Sequence, residues 1–331
     1  MDPSKDGIIL LAKQSGITSF SSLWQIKNAL GTKKIGHTGT LDTFAEGLLV
    51  VCAGRLTRLV SYITDCDKAY EAVITFGTET DTLDPDGQVI KTSDLPKYGD
   101  ILDSLPSFRG AIQQQPPAYS AIHVGGQRAS DRIRKGEAVE LPFRPIIVYS
   151  LDFLETVTSD GGKAESSSLI SSIKVHIVCS KGTYIRSLAR DIALASRSCA
   201  HLAGLRRTRI GPFSLEEAAG FSMLPPFGSV PPAVYGVGDR PPQVNPQEIQ
   251  QVVRSFHPSL ASQVGLTCVF LDPSFLRDFL NGKTILSSWF AENIPANVSE
   301  QKAAVFCGEE FVGVVLYKYG AASYEFVMGH G

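Results

Sequence analysis

The run Leu48–Gly54, LLVVCAG, contains no charged side chain and is too short to be a buried helix. It reads as a strand covered on both faces, and such a strand requires packed layers above and below it. At 331 residues and 43% apolar composition the chain can supply those layers. Immediately before the run stands IGHTGTLDTFAEG, in which Gly36, Gly39 and Gly47 surround His37 and Asp42. Glycines at this density let a backbone or a flat ligand approach closely. Asp42 or Thr43 could cap a short helix, with Thr43-x-x-Glu46 as a capping box, or Asp42 could be an acid held at a functional site. Local spacing leaves both readings open.

Periodicity divides the rest of the chain. TSFSSLWQIKNAL (18–30) has helical spacing between a Thr/Ser start and Gly31, and LTRLVSYI (56–63) suits a short helix. YEAVITF (70–76) alternates as a strand, with Tyr70, Ala72, Ile74 and Phe76 on one face. RPIIVYSLDFL (144–154) and IKVHIVCS (173–180) flank the turn-rich SDGGKAESSS and predict a hairpin. A helix follows, with Ile185, Leu188, Ala189 and Ile192 on its apolar face and Arg186, Arg190 and Arg197 on a neighbouring side. Seven prolines within 223–246 predict an irregular connection. The tail beyond 264 regains order, with a short helix near PSFLRDFLNG and a strand pair around AAVFCGEEFVGVVLYKY.

The formal net charge of -2 gives no global sign of a polyanionic partner, but charge is segregated. Residues 65–104 hold ten acids and three bases, whereas 181–209 hold seven Lys/Arg and one acid. The basic segment is either a stripe for nucleic-acid phosphates or a solvated helix face followed by an ordinary basic loop, HLAGLRRTRIG. Cysteines 52, 66, 179, 199, 268 and 307 are scattered without metal-ligand spacing, which suits reduced thiols in a cytoplasm. The apolar run near the N-terminus is too short for a signal peptide or a membrane span.

Five segments, taken in order, resemble one family. GHTGTLDTFAEGLLVVCAG, KAYEAVITFGTETDTLDPDGQVI (68–90), QQPPAYSAIHVGGQRASDRIRKG (114–136), CSKGTYIRSLARDI (179–192) and HLAGLRRTRIGPF (201–213) are similar to the successive motifs of the TruB family of tRNA pseudouridine-55 synthases. The chain departs from the family pattern at Gln14, where Pro usually follows Lys13, at His123, where Lys is usual, and at SDRIR, where Tyr-x-x-Ala-Arg is usual.

The resemblance implies an α/β (α+β) pseudouridine-synthase fold, a mixed, largely antiparallel sheet flanked by helices, with a small C-terminal β-rich PUA-like domain. It divides the chain into a catalytic domain (1–222), a Pro-rich connection with a helical segment (223–263) and a divergent RNA-binding unit (264–331). It implies a cytoplasmic, cofactor-free isomerase of a uridine in the tRNA T-loop, acting as a monomer with tRNA as its partner, without a membrane, a metal or an obligate protein partner. Asp42 would act at the sugar or the base. Arg186 would hold it ionised, and Tyr70 would stack on the uracil and take the C5 proton. His37 would fill space left by the flipped base, while Tyr184, Leu205 and Lys13 would bind substrate and Lys33, Lys34, Arg206, Arg207 and Arg209 would meet phosphates. Two competitors are a glycoside hydrolase using Asp42 and Glu46 as paired carboxylates and an RNA-binding protein without catalysis.

Overall fold

The computed structural model describes residues 5–120, 122–124, 126–135, 137, 141–228, 242–291, 300–319 and 321–329. The first half contains β1 (Gly7–Lys13), α1 (Ser19–Leu30), β2 (Ile35–His37), β3 (Glu46–Ala53), α2 (Val60–Thr64), β4 (Lys68–Phe76), β5 (Thr78–Thr80), β6 (Val89–Thr92), α3 (Tyr98–Ser104), β7 (Gly110–Gln114), β8 (His123–Val124), β9 (Gln127–Arg128) and α4 (Ala129–Arg134). Next come β10 (Arg144–Thr158), β11 (Ile170–Cys179), α5 (Ile185–Ala195), β12 (Ala200–Ile210), β13 (Phe213–Ser214), α6 (Pro246–Gln251) and α7 (Pro258–Gln263). The chain ends with β14 (Thr267–Phe270), α8 (Leu276–Leu280), β15 (Gln301–Cys307), β16 (Glu310–Lys318) and β17 (Ala321–Val327).

A nine-stranded sheet forms the body, in the order β1-β3-β12-β4-β11-β10-β7, with β2 added to β3 and β13 to β12. Its pairings are antiparallel except for β3 with β12, which run parallel. Every residue of β3 is buried, as its unbroken apolar run requires. On β4 and β11 burial alternates, and Ile74, Ile173 and Ile177 join Leu188 and Ile192 of α5 in one core cluster. Helix α1 buries Leu23 and Ile26 against β1 and β3. Thr18 caps its N-terminus by accepting the Ser21 N–H, and Gly31 ends it in the left-handed region at φ 57°.

Three expectations need correction. HLAGLRRTRIG is the central strand β12, hydrogen-bonded on both sides, and not a loop. Thr43 and Glu46 cap no helix, because Glu46 opens β3. Arg197 lies beyond the end of α5 with φ 59°, and Arg186 is buried, so no arginine stripe runs along that helix.

The C-terminal unit is a four-stranded sheet, β14-β15-β16-β17. It does not pack alone: Phe306, Phe311, Val314 and Met328 share a core cluster with Ile8, Leu10, Val50 and Leu59 of the body. Arg55 and Arg58 cross the seam, donating to the carbonyls of Met328 (2.8 Å) and Val327 (2.8 Å). Residues 229–241 of the Pro-rich connection lie outside the described residues, as does the side chain of His123.

Candidate active site

The Gly-rich segment between β2 and β3 is a loop fixed from one side by the end of β1 and the start of α1. Ser19 Oγ accepts the Leu41 N–H (2.8 Å) and donates to the Leu41 carbonyl (3.1 Å), while Ser15 Oγ donates to the Phe44 carbonyl (2.7 Å). Beneath it, the Lys13 ammonium donates to the carbonyls of Ala45 (2.6 Å), Gln14 (3.0 Å) and Thr43 (3.4 Å). Asp42 is thereby held at the lip of a cavity of about 860 Å³ with its side chain 37% exposed, open to a ligand.

Arg186, near the start of α5, is 144 positions away in the chain and meets it in space. Its Nε lies 3.0 Å from Asp42 Oδ2 and its Nη2 3.3 Å from Oδ1, a two-point contact that fixes the plane of the carboxylate. The guanidinium is itself held by Thr82 O (2.8 Å), Tyr119 O (3.1 Å) and Asp84 Oδ2 (3.3 Å). Burial pushes the Asp84 carboxyl above its ordinary range, and the Thr82 hydroxyl and Arg186 oppose this. The α5 start is in turn fastened by Gln114, which accepts the Tyr184 N–H (2.8 Å) and donates to the Tyr184 carbonyl (3.0 Å).

Tyr70, Tyr184, Leu205 and Arg207 line the same cavity. Tyr70 on β4 lies opposite Arg207 on β12 in register, so the phenol and the guanidinium stand on one face of the sheet and in one cavity wall. Burial raises the Tyr70 phenol, and the Arg207 charge pulls it back down.

Other expected site residues stand away from the cavity or, like Arg207, line it without reaching the surface. Lys13 is 1% exposed, spends its ammonium on the loop carbonyls behind Asp42 and does not line the cavity. Burial brings its pKa down to about 7, with Asp42 opposing, Arg207 adding and Glu46 opposing. Arg206 and Arg207 are buried, which removes both from any phosphate at the surface. Arg206 is ion-paired with Glu46, donates to the Pro225 carbonyl and covers the Phe227 ring at 5.0 Å.

Arg209 donates to the Gly211 carbonyl (3.0 Å) and borders a separate groove of about 680 Å³ toward Gly265. Lys33 and Lys34 are exposed between α1 and β2, away from the cavity lining. His37 is also outside that lining, with Nδ1 accepting the Gly39 N–H (3.3 Å). Glu46 is committed to Arg206 and does not line the cavity, so Asp42 and Glu46 are not placed as the paired carboxylates of a glycoside hydrolase.

Three residues of the site escaped the sequence reading. Asp84 was hidden in the acidic run 65–104, with only the DPDG turn to single it out. Arg134 of α4 and Lys181 after β11 stand at the cavity rim, both largely exposed and paired with Asp131 (3.5 Å) and Asp65 (2.8 Å). Both lie within segments that resemble the family's motifs, but neither was singled out there.

Similarity to known proteins defines the class: an isomerase of the pseudouridine synthase type. Solved structures with the same fold include a Cbf5-Nop10-Gar1 complex, at a TM-score of 0.66 and 23% identity over 98% of this chain and 85% of that one. Another is an H/ACA RNP bound to a substrate RNA containing 2′-deoxyuridine, at 0.64 and 20% over 100% and 92%. The chain belongs to the TruB family: the model for the N-terminal domain of TruB family pseudouridylate synthases matches residues 27–185. It is 42% identical to tRNA pseudouridine synthase B of Treponema denticola over 99% of each chain, and 38% identical to that of Treponema pallidum over 97% of each.

Proposed function

We propose that this chain converts a uridine in the T-loop of tRNA to pseudouridine, with Asp42 as the essential carboxylate and the target base swung out into the cavity. One observation carries the reading: Asp42, Arg186 and Tyr70, from three separate segments, converge on one solvent-open cavity. The relatives' shared name, tRNA pseudouridine synthase B, supports the choice of tRNA.

The reaction breaks the C1′–N1 bond, rotates the uracil and forms a C1′–C5 bond. At C5 a proton must then leave. Its C–H electron pair becomes the C5=C6 bond, the C6=N1 pair withdraws to N1, and N1 takes a proton from solvent. No electron enters or leaves overall. Whether a carboxylate attacks C1′, attacks the uracil or removes a ribose proton, its plane must be fixed and an oxygen lone pair must face the reacting nucleoside. The two-point contact with Arg186 and the loop bonds at Leu41, Thr43 and Ala45 meet that need.

A uridine within a folded RNA is reached only by extrusion, at a cost of a few kcal/mol that the pocket must return. Tyr70 and Tyr184 offer aromatic faces for this, and Leu205 adds an apolar wall. Lys181 and Arg134 at the rim are the cations nearest to incoming phosphates among the described residues of that lining. The protein acts here as a single chain.

Incubation with an unmodified tRNA transcript, followed by position-by-position mapping of pseudouridine, tests the proposal. One modified uridine in the T-loop is expected. Modification elsewhere in the tRNA, or none, overturns it.

A further inference from the structure

Arg207 has no carboxylate bonded to it among the described residues, although it is 2% exposed. A buried cation without an anion is expensive, and one is retained where the charge is used. Its geometry shows where the charge is aimed. Nε donates to the Leu48 carbonyl (2.9 Å) and Nη2 to the Gly39 carbonyl (3.0 Å), which pins the guanidinium between β3 and the Asp42 loop. Across the β12–β4 register Arg207 stands opposite Tyr70, and both line the cavity. Backbone packing enforces the placement: a side chain at Gly47 would sit 2.4 Å from the Arg207 carbonyl oxygen, so β3 and β12 can lie this close only with glycine there.

We infer that Arg207 is the positioning residue for Tyr70: it fixes the phenol oxygen beside the cavity and supplies the positive charge that lets that oxygen take the C5 proton. This rests on the proposed isomerase reading and extends it to the last step. A phenol receives a proton only through its ionised form, and burial in the sheet disfavours that form. The nearby guanidinium charge opposes the penalty. Asp42 from the loop and Cys179 from β11 also face Tyr70, and Lys13, His37 and Lys68 surround Arg207. Asp42 and Cys179 both disfavour a phenolate, and of the groups that bear on Tyr70 only Arg207 favours one. In the step itself the C5 proton passes to the Tyr70 oxygen, the C–H pair closes the C5=C6 bond, and the phenol later returns that proton to solvent.

The test uses the full chain in wild-type, Arg207→Gln and Arg207→Lys forms, with tRNA carrying uridine or 5-deuterouridine. Arg207→Gln is expected to lower kcat by about a hundredfold with KM held, as befits loss of an oriented charge, and to acquire a primary deuterium isotope effect larger than wild type. Arg207→Lys is expected to recover part of kcat and to reduce that isotope effect. In protein labelled at tyrosine Cζ, the Tyr70 resonance, assigned with Tyr70→Phe, is expected to move in Arg207→Gln without substrate present. An unchanged Tyr70 resonance overturns the inference even if wild type makes no pseudouridine, a result that would sink the isomerase reading separately. An unchanged isotope effect, with activity lost only in proportion to folded protein by circular dichroism, also overturns it.

Discussion

The role proposed for Asp42 depends on what holds it, and the holders differ in kind. Arg186 sets the plane of the carboxylate through two contacts at 3.0 and 3.3 Å, and lysine has no planar fork with which to replace them. Arg186→Lys is therefore expected to lower kcat by about a hundredfold, the cost of a misplacement near 1 Å, with RNA affinity little changed. Single-turnover kinetics beside a filter-binding titration will check this. Lys13 holds the backbone beneath. The unfolded chain keeps this amine protonated up to about pH 10.5, whereas the folded chain releases its proton near 7. Between those values unfolding takes up a proton, so stability climbs with pH; below 7 both states are protonated and this contribution is flat. Lys13→Met is expected to remove that rise, read as urea midpoints of the two proteins compared across the same pH range.

At the level of elements, β12 explains both what could be read from the sequence and what could not. Leu205 and Arg207 point to the cavity, while Arg206, between them, points to the opposite face and pairs with Glu46. Glu46→Gln leaves a buried guanidinium without its anion and is expected to cost about 3 kcal/mol. Glu46→Met combined with Arg206→Met should cost clearly less, because neither charge remains; thermal melts of the two variants decide it. Gly47→Ala pushes against the Arg207 backbone and is expected to lower both melting temperature and kcat.

Strand β3, helix α1, the β10–β11 hairpin and helix α5 were legible because their apolar spacing is local. Strand β12 was not, since Arg206 and Arg207 make it look like a solvated loop. Their partners Glu46 and Tyr70 lie more than a hundred residues earlier in the chain, beyond the reach of any periodicity. The motifs named Asp42, Tyr70 and Arg186, which the fold brings to one cavity; Asp84, Arg134 and Lys181 lie in the same motifs but were not named, because only convergence in space places them beside that cavity.

Across the whole molecule, the body and the C-terminal sheet share a core. Phe306, Phe311 and Met328 cover Ile8, Leu10 and Val50, the outer side of the same β1–β3 pair whose other side packs on α1. Calorimetry of the full chain is therefore expected to give one cooperative transition with matching calorimetric and van't Hoff enthalpies, and two resolved transitions would contradict this seam. Because β3 leads directly out of the Asp42 loop, the C-terminal unit supports the site through that strand. The central claim, that the Asp42 carboxylate performs the chemistry, is tested most directly with Asp42→Asn, measuring tRNA binding and pseudouridine yield on the same preparation. The account predicts binding within a few-fold of wild type and no detectable pseudouridine; a yield close to wild type would contradict it.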